Sequence, residues 1–425
     1  MFHCFPTQAD AQIFYANTVF GRGFNVPPDP FSNSGRAIIE LQIKEWTAMS
    51  EARFKICEQA VDSQEIPFMG TPTVVRDYDF IVRALDGDDA LINFYGLSYG
   101  SILGQYLVNM LPDRVGKVAI DGVVPAEMWS STPPYKWSSS WLVKIEDTFN
   151  LMLKECGSVG PERCPLAKTK GEDYGAIEAV YALTNYPKSL DRFAPAFAGA
   201  IGGNYTLLSQ QMLQPITFTS SPIPGDVSRA LISCMDTVSY NPDQPKTWPS
   251  LKQVTDELLN TLRSVSPRFG ISTLLAEQDG FCQFLHSTQK LPERYNGPWN
   301  AKLKTPVLIL NNDLDPITSV VNARSVNQVM GSSARLVVND NTPGHTTIIS
   351  GPSICVARAV RDYFANNKPP AQKETHCVND ETIFNRIDIT TAGRITNATD
   401  QDLVDAVYEL RAVFYAINTG NLGLP

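Results

Sequence analysis

The pentapeptide Gly96-Leu97-Ser98-Tyr99-Gly100 is the stretch of this chain whose residue types and spacing describe a reaction. Small residues on both sides of a serine suit a turn too tight for large side chains, and such a turn lifts the serine oxygen clear of the backbone. A serine hydroxyl becomes a useful nucleophile only when a base takes its proton and an acid orients that base. For a serine in a strand–turn–helix setting, the acid and then the histidine follow in chain order. Of the four histidines, His3 precedes the serine, His286 lies at the edge of a helical region and His376 adjoins Cys377 in an expected loop. His345, in Pro343-Gly344-His345 after a predicted strand, is the best base. Three residues compete for the acid: Asp313 and Asp315, after the strand ending at Leu310, and Asp121, after an earlier strand. Asp315 is favoured. The proline after it holds the loop extended, and the 30 residues to His345 leave room for one helix and one strand. Asp313 is then expected to shape the turn. The N–H of Tyr99, directly after the serine, would point at a developing oxyanion.

The elements that must position these groups follow from periodicity. Leu91 to Tyr95 reads as a short strand, the glycine turn follows, and a helix runs through Leu103, Leu107 and Leu111 before a strand at Lys117 to Ile120. That alternation marks a parallel α/β sheet. It resumes with a strand at Pro306 to Leu310, a helix near Val320 to Met330, a strand at Ala334 to Val338 and a helix from Ser353 to Phe364. Ahead of the serine, residues 21 to 36 read as loop, and helices are expected at Ala37 to Ala60 and Thr73 to Leu85. Between Trp129 and Pro298 helical spacing dominates, as in Trp141, Ile145, Phe149 and Met152. This region is expected to be a helical insertion narrowing access to Ser98, with Trp129, Trp137 and Trp141 walling part of the entrance. In the tail, Leu403, Val407, Leu410, Phe414 and Ile417 share one helix face, suited to docking on the body.

Composition excludes several partners. Lys and Arg number 35 against 44 Asp and Glu, a formal net charge of −9, so the basic excess a nucleic-acid surface needs is lacking. No apolar run approaches the ~20 residues of a membrane span. The eight cysteines contain no C-x-x-C pair and the histidines are scattered, so no metal site is indicated; serine hydrolysis needs no cofactor, and none is implied. An even cysteine count points instead to disulfides formed in an oxidising compartment. Short separation pairs Cys156 with Cys164, while Cys4 with Cys57 and Cys234 with Cys282 are assigned on no motif. Sequons at Asn204 and Asn397 agree with a secretory route, although residues 1 to 15 carry no signal-peptide pattern.

With these residues placed, the chain resembles the secreted tripeptidyl and prolyl aminopeptidase branch of the α/β-hydrolases. The matching stretches include Phe94-Tyr95-Gly96-Leu97-Ser98-Tyr99-Gly100-Ser101, Ile120-Asp121-Gly122-Val123 and Ala230-Leu231-Ile232-Ser233-Cys234-Met235-Asp236. Further on come Asn296-Gly297-Pro298-Trp299, Thr305-Pro306-Val307-Leu308, Leu314-Asp315-Pro316-Ile317-Thr318 and Gly344-His345. The resemblance implies an α/β-hydrolase sheet with an inserted helical cap, Ser98 as nucleophile, Asp315 as acid, His345 as base, a Cys355–Cys377 disulfide and an extracellular location. It divides the chain into hydrolase core with the nucleophile turn (1–128), cap (129–298), core with acid and histidine (299–378) and tail (379–425). The glycine-rich loop that supplies a second oxyanion donor in such enzymes has no counterpart here. The chain is therefore expected to begin after the fourth strand of an eight-stranded sheet, leaving Leu91 to Tyr95 at a bare edge, with low solubility and little turnover.

The reading that follows is a serine aminopeptidase that releases N-terminal residues or short peptides through an acyl-enzyme. Its partner is a peptide or small-molecule substrate. An exopeptidase needs a carboxylate for the substrate ammonium, and Asp236, Glu277 and Asp279 are the candidates. Two alternatives stand beside it: an ester, lactone or thioester hydrolase, and a catalytically silent hydrolase-like binding protein.

Overall fold

The computed structural model describes residues 4–60, 63–168, 184–185, 187, 190–212, 227–241, 243–271, 281–285, 292–351, 353–384 and 398–418. Five parallel strands form one sheet in the order β1 (Ile92–Leu97), β2 (Val115–Asp121), β3 (Val307–Leu314), β4 (Ala334–Pro343) and β5 (Glu374–Val378). The centre of the sheet is apolar on both faces, as a parallel sheet covered by helices requires: Val307, Leu308, Ile309 and Leu310 are all buried. This is the α/β-hydrolase architecture expected from the sequence. One strand was not: β5, with His376 and Cys377, occupies a stretch expected as loop. Its five residues are too few and too polar to register as a strand before the pairing with β4 is known. Among the described residues no strand precedes Ile92, and β1 pairs with β2 alone.

By contact density the chain divides into two units. One holds the sheet and comprises residues 86–125, 141–213 and 298–425; the other comprises residues 1–85, 126–140 and 214–297. These boundaries differ from those drawn from the sequence, because residues 1–85 group with 126–140 and 214–297 instead of with the nucleophile turn. Apolar packing between the segments explains the grouping. Cys4–Cys57 and Cys234–Cys282 both lie within this unit. Phe5, Phe54 and Ile66 share a core with Val227, Leu231 and Met235. A second core sets Ile39, Ile43 and Trp46, from the helix Asn33–Gln59, against Val254, Leu258 and Leu262 of the helix Leu251–Ser264. Ser250 caps that second helix in a capping box with Gln253, which satisfies N–H groups the first turn leaves unbonded.

Within the sheet unit, Cys156–Cys164 and Cys355–Cys377 complete four disulfides, each as paired in the sequence reading. The tail helix Ala398–Asn418 is present. It docks through Val404 against Ile354 and through an Arg358–Asp400 ion pair at 2.6 Å. Leu410, expected on the buried face, is instead 48% exposed. The tryptophans expected at an entrance are core: Trp129, Trp137 and Trp141 are all buried, and the first two stack at 4.3 Å between centroids. Large apolar rings gain more from burial in a core than from exposure on a rim, both for Trp129 and Trp137 in the helical unit and for Trp141 in the sheet unit. Among the described residues, no helix is long and apolar enough to cross a membrane.

The Cys234–Cys282 bridge closes a loop of 48 residues within the helical unit. Replacing both cysteines by serine is expected to lower stability by about 2–4 kcal/mol, measured by urea unfolding with the other bridges intact.

Candidate active site

Ser98 stands between β1 and the helix Tyr99–Met110 with φ 56° and ψ −117°. A non-glycine residue in that region is strained by roughly 1–3 kcal/mol and persists only where the surroundings hold it. Here the Ser98 N–H donates to Asp121 O at 2.9 Å, across to β2, and the Ser101 N–H donates back to Ser98 O at 2.8 Å. Gly96 is required by contact, since a Cβ there would lie 2.2 Å from Gly100 O and 2.4 Å from Phe94 Cε1. Gly100 is different: a Cβ there would meet nothing within 4 Å, so crowding does not explain that glycine. Tyr99 is the first helical residue, at the end of a helix where N–H groups point outward along the axis.

Asp315 and His345, expected from the sequence as acid and base, lie on the loops after β3 and β4, at the same end of the sheet. His345 Nδ1 is 3.0 Å from Asp315 Oδ2 and 3.3 Å from Oδ1. Both residues are buried. Asp315 is also an acceptor for the N–H groups of Ile317 (3.1 Å), Thr318 (2.8 Å) and Thr346 (3.0 Å). Those donors anchor the carboxylate where it faces the ring. Thr318 Oγ1 lies 3.1 Å from the same Nδ1, and the His345 N–H donates to Asn185 O at 3.0 Å. With Nδ1 committed as donor to Asp315, the nitrogen that accepts a proton in this tautomer is Nε2.

Asp121, the competing acid, holds something else. Its carboxylate accepts from Thr347 N (2.9 Å) and Thr347 Oγ1 (2.7 Å), in the turn just after the histidine. Burial pushes its pKa up to about 6, with the nearby Asp315 charge adding to the rise. Asp313 accepts from Thr342 N at 3.0 Å and so shapes the end of β4. Gly122 follows Asp121 at φ +66°; a Cβ there would come 3.1 Å from His345 Cε1 and 2.8 Å from Thr346 Cγ2. The bare backbone at Gly122 is therefore what admits the imidazole beside β2.

The sequence reading missed the asparagines and threonines that hold this arrangement. Asn312 Nδ2 donates to Gly344 O (2.9 Å) and Thr346 O (2.8 Å), tying β3 to the histidine loop. Thr346 takes φ 62°, unusual for a β-branched residue. The available signal was the pair Asn311-Asn312 directly after four apolar residues, where buried amides must find partners.

The substrate-amine candidates fare otherwise. Asp236 is buried in the helical unit, its carboxylate bonded to Thr71 N (2.7 Å), Thr71 Oγ1 (2.5 Å) and Trp129 Nε1 (2.8 Å). Both oxygens are engaged, so Asp236 is a structural acceptor and not an anchor for an ammonium. Burial raises its pKa to about 6 against the pull of those donors. Glu277, Asp279 and Asn397 lie outside the described residues. Asn204 is exposed, its Oδ1 accepting from Thr206 N at 3.1 Å. His376 is exposed on β5 and bonds Asp340 at 3.0 Å, apart from the pair at His345. Among the described residues no cluster of three or more His, Cys, Asp or Glu could hold a metal.

Comparison with known proteins agrees with this architecture. Residues 268–377 match the sequence model of a family described as TAP-like protein. The chain is 23% identical over 383 residues to the serine protease Hip1 of Mycobacterium tuberculosis, spanning 81% of this chain and 67% of that protein. Its Mycobacterium bovis counterpart matches to the same extent. The tripeptidyl aminopeptidase of Streptomyces lividans is 41% identical over 59 residues, 14% of this chain and 11% of that protein. The resemblance read from the motifs is supported: the parallel sheet has the α/β-hydrolase fold, and residues 268–377 are similar to the TAP-like family.

Two measurements test the site. Gly122→Ala forces a left-handed alanine against the imidazole, and a displacement near 1 Å is expected to slow modification of Ser98 by a fluorophosphonate about 100-fold. The buried carboxyls set a pH dependence of stability. Asp121 and Asp236 have pKa values raised to about 6 in the folded chain, above their unfolded values. The folded state then binds protons more tightly, so their contribution is full below about pH 4 and is lost as pH rises through 6. Urea unfolding between pH 4 and 7 should show that decline, and Asp236→Asn should flatten it whatever its effect on absolute stability.

Proposed function

We propose that this α/β-hydrolase is a serine peptidase, acting as an aminopeptidase that releases N-terminal residues or short peptides, with Ser98, His345 and Asp315 as its catalytic groups. One observation carries the reading. The His345–Asp315 hydrogen bond at 3.0 Å sits on the loops after β3 and β4, at the sheet end where the strained Ser98 turn emerges. The serine protease and aminopeptidase names of the relatives support the substrate class.

In this reading His345 Nε2 takes the Ser98 proton as Oγ attacks the substrate carbonyl, and Asp315 stabilises the imidazolium that results. The Tyr99 N–H donates to the oxyanion of the tetrahedral intermediate. The imidazolium then returns its proton to the departing amine, leaving an acyl-enzyme on Ser98. Water, deprotonated by the same nitrogen, releases the acyl group. No metal or cofactor enters these steps. The four disulfides suit an oxidising compartment, and an extracellular site of action is part of the proposal.

Modification by a fluorophosphonate probe tests whether Ser98 is activated. The full chain should be modified and Ser98→Ala should not, while Asp315→Asn should lower kcat by about 10⁴ through loss of the correct histidine tautomer. Aminoacyl and tripeptidyl amides beside simple esters identify the leaving group. Hydrolysis of esters alone would reject the peptidase, and absence of modification would reject the nucleophile.

A further inference from the structure

Asp121 makes two attachments that the proposed chemistry does not use. At the end of β2, its carbonyl oxygen accepts the N–H of Ser98 at 2.9 Å. Its carboxylate, fully buried, accepts the Thr347 N–H at 2.9 Å and the Thr347 hydroxyl at 2.7 Å, with the Ile348 N–H at 3.4 Å. Thr347 is two residues past His345. A single residue thus connects the backbone of the serine turn with the backbone of the histidine loop. The next residue, Gly122, borders the imidazole itself.

We infer that Asp121 is a positioning residue for the reaction, its backbone fixing the Ser98 turn while its carboxylate fixes the turn after His345 in register with it. The inference rests on the serine-peptidase reading above. Chemistry favours a carboxylate at this place. Three donors converge on it from Thr347 and Ile348, which an acceptor-only group can satisfy and an amide cannot. An unexploited carboxyl would be a costly thing to bury, since an ionised group without good partners loses several kcal/mol of solvation. The titratable groups facing it are Tyr95, whose hydroxyl donates at 3.3 Å, and Asp315, with His345 across Gly122.

The test compares wild type, Asp121→Asn, Thr347→Val and Thr347→Ser in the full chain. Two readouts are used: the rate of Ser98 modification by a fluorophosphonate, and hydrogen exchange of the peptide spanning residues 345–350. Asp121→Asn should slow modification about 30- to 100-fold and speed exchange of the Thr347 and Ile348 amides. Thr347→Val should slow modification 3- to 10-fold, and Thr347→Ser should match wild type. Modification of Asp121→Asn within threefold of wild type, or unchanged exchange of the Thr347 and Ile348 amides, overturns the inference. If Asp121→Asn fails to fold, the threonine pair decides: equal rates for valine and serine overturn it. If wild type itself is not modified, the peptidase reading fails. Exchange then still decides whether Asp121 holds the loop, with unchanged exchange counting against it.

Discussion

The buried carboxylate of Asp315 is the interaction on which the site depends. A carboxylate without solvent is stable only when donors surround it. Here three backbone N–H groups and the His345 ring supply them, one of those groups coming from the histidine loop itself. The same contacts that make the charge tolerable therefore fix the imidazole's tautomer and hold its loop against β3. Electrostatic need and the orientation of the ring are met by one set of bonds.

The parallel sheet makes this economical. Every strand points the same way, so the loops after β1, β2, β3 and β4 all emerge at one end. Groups far apart in the chain then need only short side chains to meet. Hydrogen bonds between strand ends complete the arrangement: Ser98 to Asp121, Gly122 N to Leu310 O at 3.1 Å, and Asn312 to the carbonyls around His345. The strained serine and the left-handed Thr346 both lie within this mesh, where rigidity can hold conformations that an isolated turn would abandon.

The helical unit shows how little an acidic side chain reveals by type. Asp236 has the charge an amine-binding site wants, yet its oxygens satisfy Thr71 and Trp129 in the interior. Its role is to let a backbone N–H, a hydroxyl and an indole be buried together. The stacked Trp129 and Trp137 beside it are likewise interior packing.

The sequence by itself determined the local features. The strand–turn–helix around Ser98, the apolar run of β3, the loop setting of His345 and the short-range Cys156–Cys164 pair could all be written down from residue types and order. Those features depend on neighbours in the chain or on a recognisable pattern. The tertiary structure alone decided the partners of each buried polar atom. Asp121, Asp236 and Asp315 are the same residue type; the proline after Asp315 and its spacing favoured it for the histidine, but nothing local showed that Asp121 holds a threonine or Asp236 an indole. It also decided that β5 is a strand, since its polar residues take that form only alongside β4. Residues 1–85 joined the helical unit for a similar reason: apolar packing reaches across more than a hundred residues, and periodicity within one segment carries no record of what lies opposite it.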